Sequence, residues 1–139
     1  MRVALLLCAL AVPLEAQSPA ASASPRPVDS LALARQYTRW FYTGQVDSLM
    51  AHHPAAQRGD SAIRAELEAR VSQLALRAGT EVQVLEEKFV RRNGRPQYWR
   101  TARFTDFSEP ILLRWVINPS GEIVGMGLGP LSQAPPIDP

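Results

Sequence analysis

The chain has 139 residues, a formal net charge of +2 and one cysteine, Cys8. Arginines and acidic residues alternate along it, and so mild a balance argues against a nucleic-acid-binding protein. A chain of this length has room for one hydrophobic core but not for two domains, and a lone cysteine excludes an internal disulfide.

The N-terminus has the order of a secretory signal peptide. Arg2 supplies the positive charge, residues 3–14 form the apolar run, and Ala16 is the small residue before a cleavage site. We expect cleavage after Ala16, so that residues 1–16 are the signal peptide. The apolar run is shorter than the roughly 20 residues that a spanning helix needs. The sequence therefore predicts an exported protein, periplasmic or extracellular, with no stable membrane insertion after cleavage.

Two segments are rich in proline and poor in the large apolar side chains that a core requires. Residues 17–27 consist mainly of Pro, Ala and Ser, which is typical of an extended linker. Residues 131–139 contain three prolines, and we expect them to form a loose tail. The single domain is therefore predicted over residues 28–130.

Helical periodicity dominates the first half of this domain. The first helix is predicted to begin at Asp29 or Ser30 and to stop at Gly44, because glycine readily takes the left-handed position after a helix. A short second helix over residues 46–51 follows, and we interpret Asp47 as its N-cap. The apolar face of the first helix carries Leu33, Tyr37, Trp40 and Phe41.

The third helix has the clearest pattern. It is predicted to begin at Asp60 or Ser61 and to end at Gly79, with Glu66 and Arg70 one turn apart on its outside. Its apolar stripe consists of Ile63, Leu67, Val71, Leu74 and Ala78. We expect the sheet to cover this stripe.

The period then changes to that of β-strands. A strand containing Val82, Val84 and Phe89 leads to Asn93-Gly94, the dipeptide that type I′ hairpin turns require. Further strands are predicted over residues 97–104, 111–117 and 122–128. The third of these four strands is apolar on both faces apart from Arg114, which predicts a central position. The fold class is therefore α+β, with three helical segments packed on a four-stranded antiparallel sheet.

Three segments of the chain resemble one bacterial family of unknown function. They are Trp40-Phe41-Tyr42-Thr43-Gly44-Gln45-Val46-Asp47, the long third helix, and residues 111–129 with Asn118-Pro119-Ser120-Gly121 at their turn. The family is similar to the nuclear-transport-factor-2-like, or cystatin-like, superfamily and is often found N-terminal to secreted α/β-hydrolases. The resemblance implies a curved sheet that forms a cone around the long helix, a pocket within the cone and frequently a homodimer through the sheet.

Aromatic residues and two arginines have the composition of a ligand pocket, which is typically apolar with few polar groups. The candidate ligand-pocket residues are Tyr37, Trp40, Trp99, Arg100, Arg114 and Trp115. Arg114 either anchors an acidic ligand or forms an ion pair across the sheet or at a dimer contact. The alternating glycines Gly125, Gly127 and Gly129 leave room either for a ligand or partner or for a closely packed helix.

We assign no catalytic residue, metal site or cofactor. His52 and His53 are adjacent, whereas metal-binding pairs on a helix are spaced i, i+4. Asp106 lies in a predicted bend, where aspartate is ordinary. A nucleophile elbow of the form Gly-x-Ser-x-Gly is missing from the sequence.

The first hypothesis is thus an exported, non-catalytic domain that binds a small apolar or acidic ligand or another protein, as a homodimer. One alternative is a pocket enzyme of the isomerase or dehydratase kind, since the resembled superfamily includes such enzymes. Another is an accessory domain that docks on a separate secreted hydrolase. A pocket carboxylate within hydrogen-bond reach of a tyrosine or histidine would favour the enzyme.

Overall fold

The computed structural model of the chain describes residues 29–139, so the predicted signal peptide and linker lie outside the described residues. The described part is α+β: helices come first, and a four-stranded antiparallel sheet follows, as predicted. Among its helices, none has the length and apolar character needed to cross a membrane.

Three α-helices form one layer. They are α1 (Ser30–Tyr42), α2 (Val46–Ala51) and α3 (Ser61–Ala78), with a short 3-10 turn at Ala55–Gln57 between the last two. Both predicted caps are present: the Asp29 carboxylate accepts a hydrogen bond from the backbone N–H of Ala32, and the Asp60 carboxylate accepts from Ala62 and Ile63.

The prediction for Asp47 is wrong. Gln45 is the N-cap of α2, and Asp47 lies inside the first turn. There its Oδ1 atom is 2.7 Å from Nη2 of Arg64 on α3. A carboxylate in a first helical turn is also favoured by the helix dipole, so Asp47 stabilises α2 without capping it.

The sheet is a simple meander. Its strands are β1 (Glu81–Arg92), β2 (Arg95–Phe104), β3 (Phe107–Ile117) and β4 (Ile123–Pro130), in that spatial order. The β1–β2 connection is the predicted tight turn, with φ of 53° at Asn93 and 71° at Gly94. Positive φ at both central residues is the requirement of a type I′ turn. β3 lies in the interior of the sheet, as its apolar sequence predicts.

The sheet has two different faces. On the inner face, side chains from β2, β3 and β4 join the hydrophobic core with residues of all three helices. The side chains that alternate with them point to the opposite, outer face. Trp99 and Leu112 belong to this outer face, and both are buried although neither is part of the core cluster.

Trp115 lies at the centre of the core. Its ring is fully buried and packs edge-on against Tyr37 and Phe41 of α1, with ring centroids 6.0 Å apart in both pairs. Its indole Nε1–H donates a 3.0 Å hydrogen bond to Oγ1 of Thr38. A buried indole N–H without a partner would be costly, so this bond fixes where α1 packs on the sheet.

The C-terminal segment, residues 131–139, does not match the loose tail expected from its prolines. After a 3-10 turn at Leu131–Gln133 it reaches the β1–β2 turn, where Asp138 makes three hydrogen bonds. Proline makes a segment stiff and removes backbone donors, but it does not prevent an aspartate from binding free backbone N–H groups.

We expect Leu67→Ala to lower the free energy of unfolding by about 2–5 kcal/mol, because it removes a buried side chain of the α3 stripe and leaves a cavity. Leu76→Ala is the matched control: the same change on the same helix, at a side chain that is 85% exposed. It should change stability by no more than about 0.5 kcal/mol. Equal effects in urea unfolding curves would show that α3 packs through another face.

Candidate functional site

The structure divides the six predicted pocket residues between two faces of the sheet. Tyr37 and Trp115 are fully buried in the core, so they offer no surface to a ligand. Trp40 is half-buried beside them, with its ring 4.9 Å from that of His52. The remaining three are Arg100 on the inner face and Trp99 and Arg114 on the outer face. The predicted residues therefore do not form one pocket.

Arg100 lies in a network of ion pairs at the inner face. Its Nε and Nη2 atoms donate to the two carboxylate oxygens of Glu81 at 2.9 and 2.6 Å, and its Nη1 donates to Glu87 at 2.7 Å. The side chains of Arg100 and Glu81 are each only 15% exposed. Bidentate geometry and low exposure make these pairs much stronger than ordinary surface salt bridges.

Residues of α1 and β2 complete the network. Arg35 donates from Nε and Nη2 to the two oxygens of Glu87, at 3.3 and 2.8 Å. Tyr42 donates to Oε2 of Glu81 at 2.8 Å, and the Tyr98 hydroxyl donates to Glu87. The network therefore joins α1 to β1 and β2 and saturates both carboxylates.

Its electrostatics do not suit acid–base catalysis. The hydrogen bond from Arg35, together with those from the other partners, outweighs burial and lowers the pKa of Glu87 to about 2. Burial, reinforced by the bond to Glu87, raises the pKa of Tyr98 to about 12. Burial likewise raises the pKa of Tyr42. A general acid or base works best with a pKa near the operating pH, so these carboxylate–tyrosine pairs are poorly tuned for proton transfer at neutral pH.

Both histidine rings are hydrogen-bonded to backbone carbonyl oxygens of α2. Nδ1 of His52 lies 2.9 Å from the carbonyl oxygen of Ser48, and Nδ1 of His53 lies 3.0 Å from that of Leu49. A carbonyl oxygen can only accept, so each Nδ1 carries the proton. Within residues 29–139, no group of three or more His, Cys, Asp or Glu side chains is placed to hold a metal ion.

Arg114 has a different environment on the outer face. Its guanidinium carbon lies 5.9 Å from the centroid of the Trp99 ring, which is a cation–π contact. The guanidinium also lies against Gly127 of β4, where a Cβ atom would collide with it. The helices pack on the inner face, so the prediction that the alternating glycines accommodate a helix is wrong, and Gly127 instead accommodates Arg114.

Among residues 29–139, neither Arg114 nor Arg92 has an acidic partner. No ion pair within residues 29–139 involves either side chain. Three glutamates of the sheet region pair with other cations: Glu86 with Lys88, Glu87 with Arg35 and Arg100, and Glu122 with Arg58. Burial, and then the positive charges of Arg92 and Arg70, lower the pKa of Arg114.

A small cavity of about 90 Å³ lies beside this arginine. Its walls come from Leu112 and Arg114 of β3, from the end of β4, and from Gln133 to Pro135 of the C-terminal segment. The Nε–H of Arg92 is buried without a hydrogen-bond partner in the described part of the chain. We name Trp99, Arg114 and this cavity the outer-face site. It has one guanidinium group that lies over an aromatic ring and a cavity beside that guanidinium.

No family model matches the chain, and searches among curated proteins and solved structures find no significant match. The resemblance to nuclear-transport-factor-2-like domains therefore stays a prediction.

The ion-pair network makes a prediction about pH. Because the pKa of Glu87 falls from its ordinary 4.5 to about 2, its ionised form contributes stability that is present above about pH 4.5 and is lost as the pH falls towards 2. Glu87→Gln should therefore lower Tm at pH 7, and its difference from the wild type should shrink to nearly nothing at pH 2. Thermal melts across this range test the expectation.

Glu86→Gln is the matched control, because it removes the neighbouring carboxylate, which is 52% exposed and pairs with Lys88. Its Tm should follow that of the wild type closely at every pH. A Glu87→Gln variant that also follows the wild type would show that the network adds nothing to stability.

Proposed function

We propose that the chain is an exported, non-catalytic binding domain that holds a small acidic ligand at the outer-face site. One observation carries the proposal: the half-buried guanidinium of Arg114 contacts an aromatic ring and makes no ion pair within residues 29–139. The ligand's carboxylate or phosphate is the missing partner.

The argument rests on the cost of burying charge. A partly desolvated guanidinium is stabilised by an anion, and Arg114 can bind a planar carboxylate or a phosphate through two parallel N–H groups. The second guanidinium, Arg92, repels Arg114 in the absence of an anion. An anion bound at Arg114 relieves this repulsion.

The neighbouring residues suit a small ligand. Trp99 is only 6% exposed and lies against the Arg114 guanidinium, so it excludes water from that side of the guanidinium but offers little surface to a ligand. Gly127 lets the Arg114 side chain lie flat on β4. The cavity of about 90 Å³ is only large enough for a few non-hydrogen atoms, so the carboxylate or phosphate group enters it and the rest of the ligand remains outside.

The cone-shaped nuclear-transport-factor-2-like fold is part of this proposal. Support comes from the packing of helices on one face of a four-stranded antiparallel meander. Tyr37 and Trp115 fill the space between α1 and the sheet, and we place the ligand on the outer face because Arg114 lies there. A homodimer through the sheet and docking on a separate hydrolase stay predictions.

Arg114→Met should abolish ligand binding while leaving Tm unchanged or slightly higher, because methionine removes a buried charge that has no partner in the described part of the chain. Native mass spectrometry reports any ligand that copurifies, and titration with succinate and with inorganic phosphate distinguishes a carboxylate from a phosphate. We expect binding of the preferred probe to weaken by at least about tenfold, since a hydrogen bond to a charged group contributes about 1.5–3 kcal/mol.

Arg103→Met is the control, because it removes an exposed arginine of β2 and makes the same change in net charge. It should leave binding within about twofold of the wild type, as expected for a screened surface charge. Equal losses in both variants would point to a general effect of charge. A marked fall in Tm for Arg114→Met would mean that Arg114 stabilises the fold and does not anchor a ligand.

Export is tested separately. The apolar run over residues 3–14 should be recognised and removed during secretion, because its length and flanking residues suit a signal peptidase. N-terminal sequencing of the protein from its native host should begin at Gln17 or a close neighbour. An intact Met1 on a membrane-bound product would contradict export as a soluble domain.

A further inference from the structure

The C-terminal segment crosses the outer face and ends at the β1–β2 turn. Near its start, residues 133–135 line the cavity beside Arg114. Near its end, the backbone N–H of Asp138 donates to the carbonyl oxygen of Arg91 at 2.8 Å. The Asp138 carboxylate accepts from the backbone N–H of Asn93 at Oδ1 and from that of Gly94 at Oδ2, both at 2.9 Å.

The turn presents these two donors because of its backbone. With φ of 53° and 71°, Asn93 and Gly94 direct successive N–H groups towards one carboxylate. Such consecutive N–H groups form a concave anion-binding site. In a type I′ hairpin, the two central N–H groups are not used by the ladder between the strands, so without Asp138 they are free to bind another acceptor.

Charge around the turn favours an acidic occupant. Arg91, Arg92 and Arg95 flank it, and none of them forms an ion pair in the part of the chain that the structure describes. The turn therefore has three arginines beside it in the sequence and one aspartate bound to its N–H groups. The surface retains positive charge after Asp138 has bound, and this charge attracts acidic segments from solution.

The attachment of the C-terminal segment depends on Asp138. The apolar side chains of the segment contribute little, since Leu131 is 39% exposed and Ile137 is 51% exposed. Segments with few buried apolar contacts open locally at low free energy. Its prolines keep the segment extended in the open state as well, which lowers the entropy lost on binding.

We propose that the β1–β2 turn is a docking site for an extended, aspartate-bearing peptide segment of a partner protein, and that Asp138 occupies this site in cis. The partner contributes an aspartate to the N–H groups of Asn93 and Gly94 and a backbone N–H to the carbonyl oxygen of Arg91. Further acidic residues of the partner pair with the flanking arginines. This inference does not depend on an acidic small ligand at the outer-face site.

The experiment uses the full chain and a synthetic peptide with the sequence of residues 131–139 as the probe. Asp138→Ala vacates the turn, and the labelled peptide should bind this variant in trans. The wild type should bind it at least about tenfold more weakly, because its own segment competes at an effective concentration in the millimolar range. Binding is measured by fluorescence anisotropy at low ionic strength.

Two controls separate the site from general charge effects. Asp47→Ala makes the same change in net charge by removing an exposed carboxylate of α2, distant from the turn in the sequence. The affinity of this variant for the peptide should equal that of the wild type. A peptide with alanine in place of its aspartate should not bind the Asp138→Ala variant. Retained binding of that peptide would overturn the proposal.

A direct readout follows the turn itself. In NMR spectra of the Asp138→Ala variant, adding the peptide should shift the amide signals of Asn93 and Gly94 back towards their wild-type positions. Amide signals that stay unchanged at saturating peptide would overturn the proposal even if the peptide binds elsewhere. Thermal melts of the variant verify that it remains folded, as expected for an exposed segment.

Discussion

The contact between Trp115 and α1 determines how the rest of the domain is arranged. The indole is fully buried, packs against two aromatic rings of α1 and is hydrogen-bonded to Thr38, so α1 has one position on the inner face. That position brings Arg35 and Tyr42 of α1 to Glu87 and Glu81 of β1. The ion-pair network is thus a consequence of aromatic packing, and it adds polar bonds to a helix that the core has already positioned.

Arg100 and Arg114 are both partly buried side chains of the sheet, but they have different partners. Arg100 points to the inner face and is matched by Glu81 and Glu87 at 2.6–2.9 Å. Arg114 points to the outer face. Its guanidinium lies over the Trp99 ring and forms no ion pair within residues 29–139. Burying a guanidinium costs the same kind of desolvation energy on either face, and on the outer face no carboxylate of the described chain offsets it. This imbalance is the physical reason to propose ligand binding at Arg114, whereas the ion pairs of Arg100 give it a structural role.

The sequence predicts those features that local rules determine. Caps at Asp29 and Asp60, the stripe of α3 and the Asn93-Gly94 turn follow from residues near each other in the chain. Counting outward from that two-residue turn also pairs Glu87 with Arg100 across β1 and β2, which is the pair that the structure contains. The Asn93-Gly94 turn therefore predicts this ion pair from the sequence alone.

Other features depend on long-range contacts that local rules do not reach. Residues 131–139 return to the turn because β4 ends beside β3 and because the N–H groups of the turn are free. Neither condition can be predicted from the sequence of the proline-rich segment itself. The same return places the C-terminal segment beside both Arg114 and the turn. If the two proposed ligands bind, each would meet the same C-terminal segment. Any coupling between them would be reciprocal by thermodynamic linkage: the factor by which the peptide changes the affinity of the outer-face site would equal the factor by which the ligand changes that of the turn.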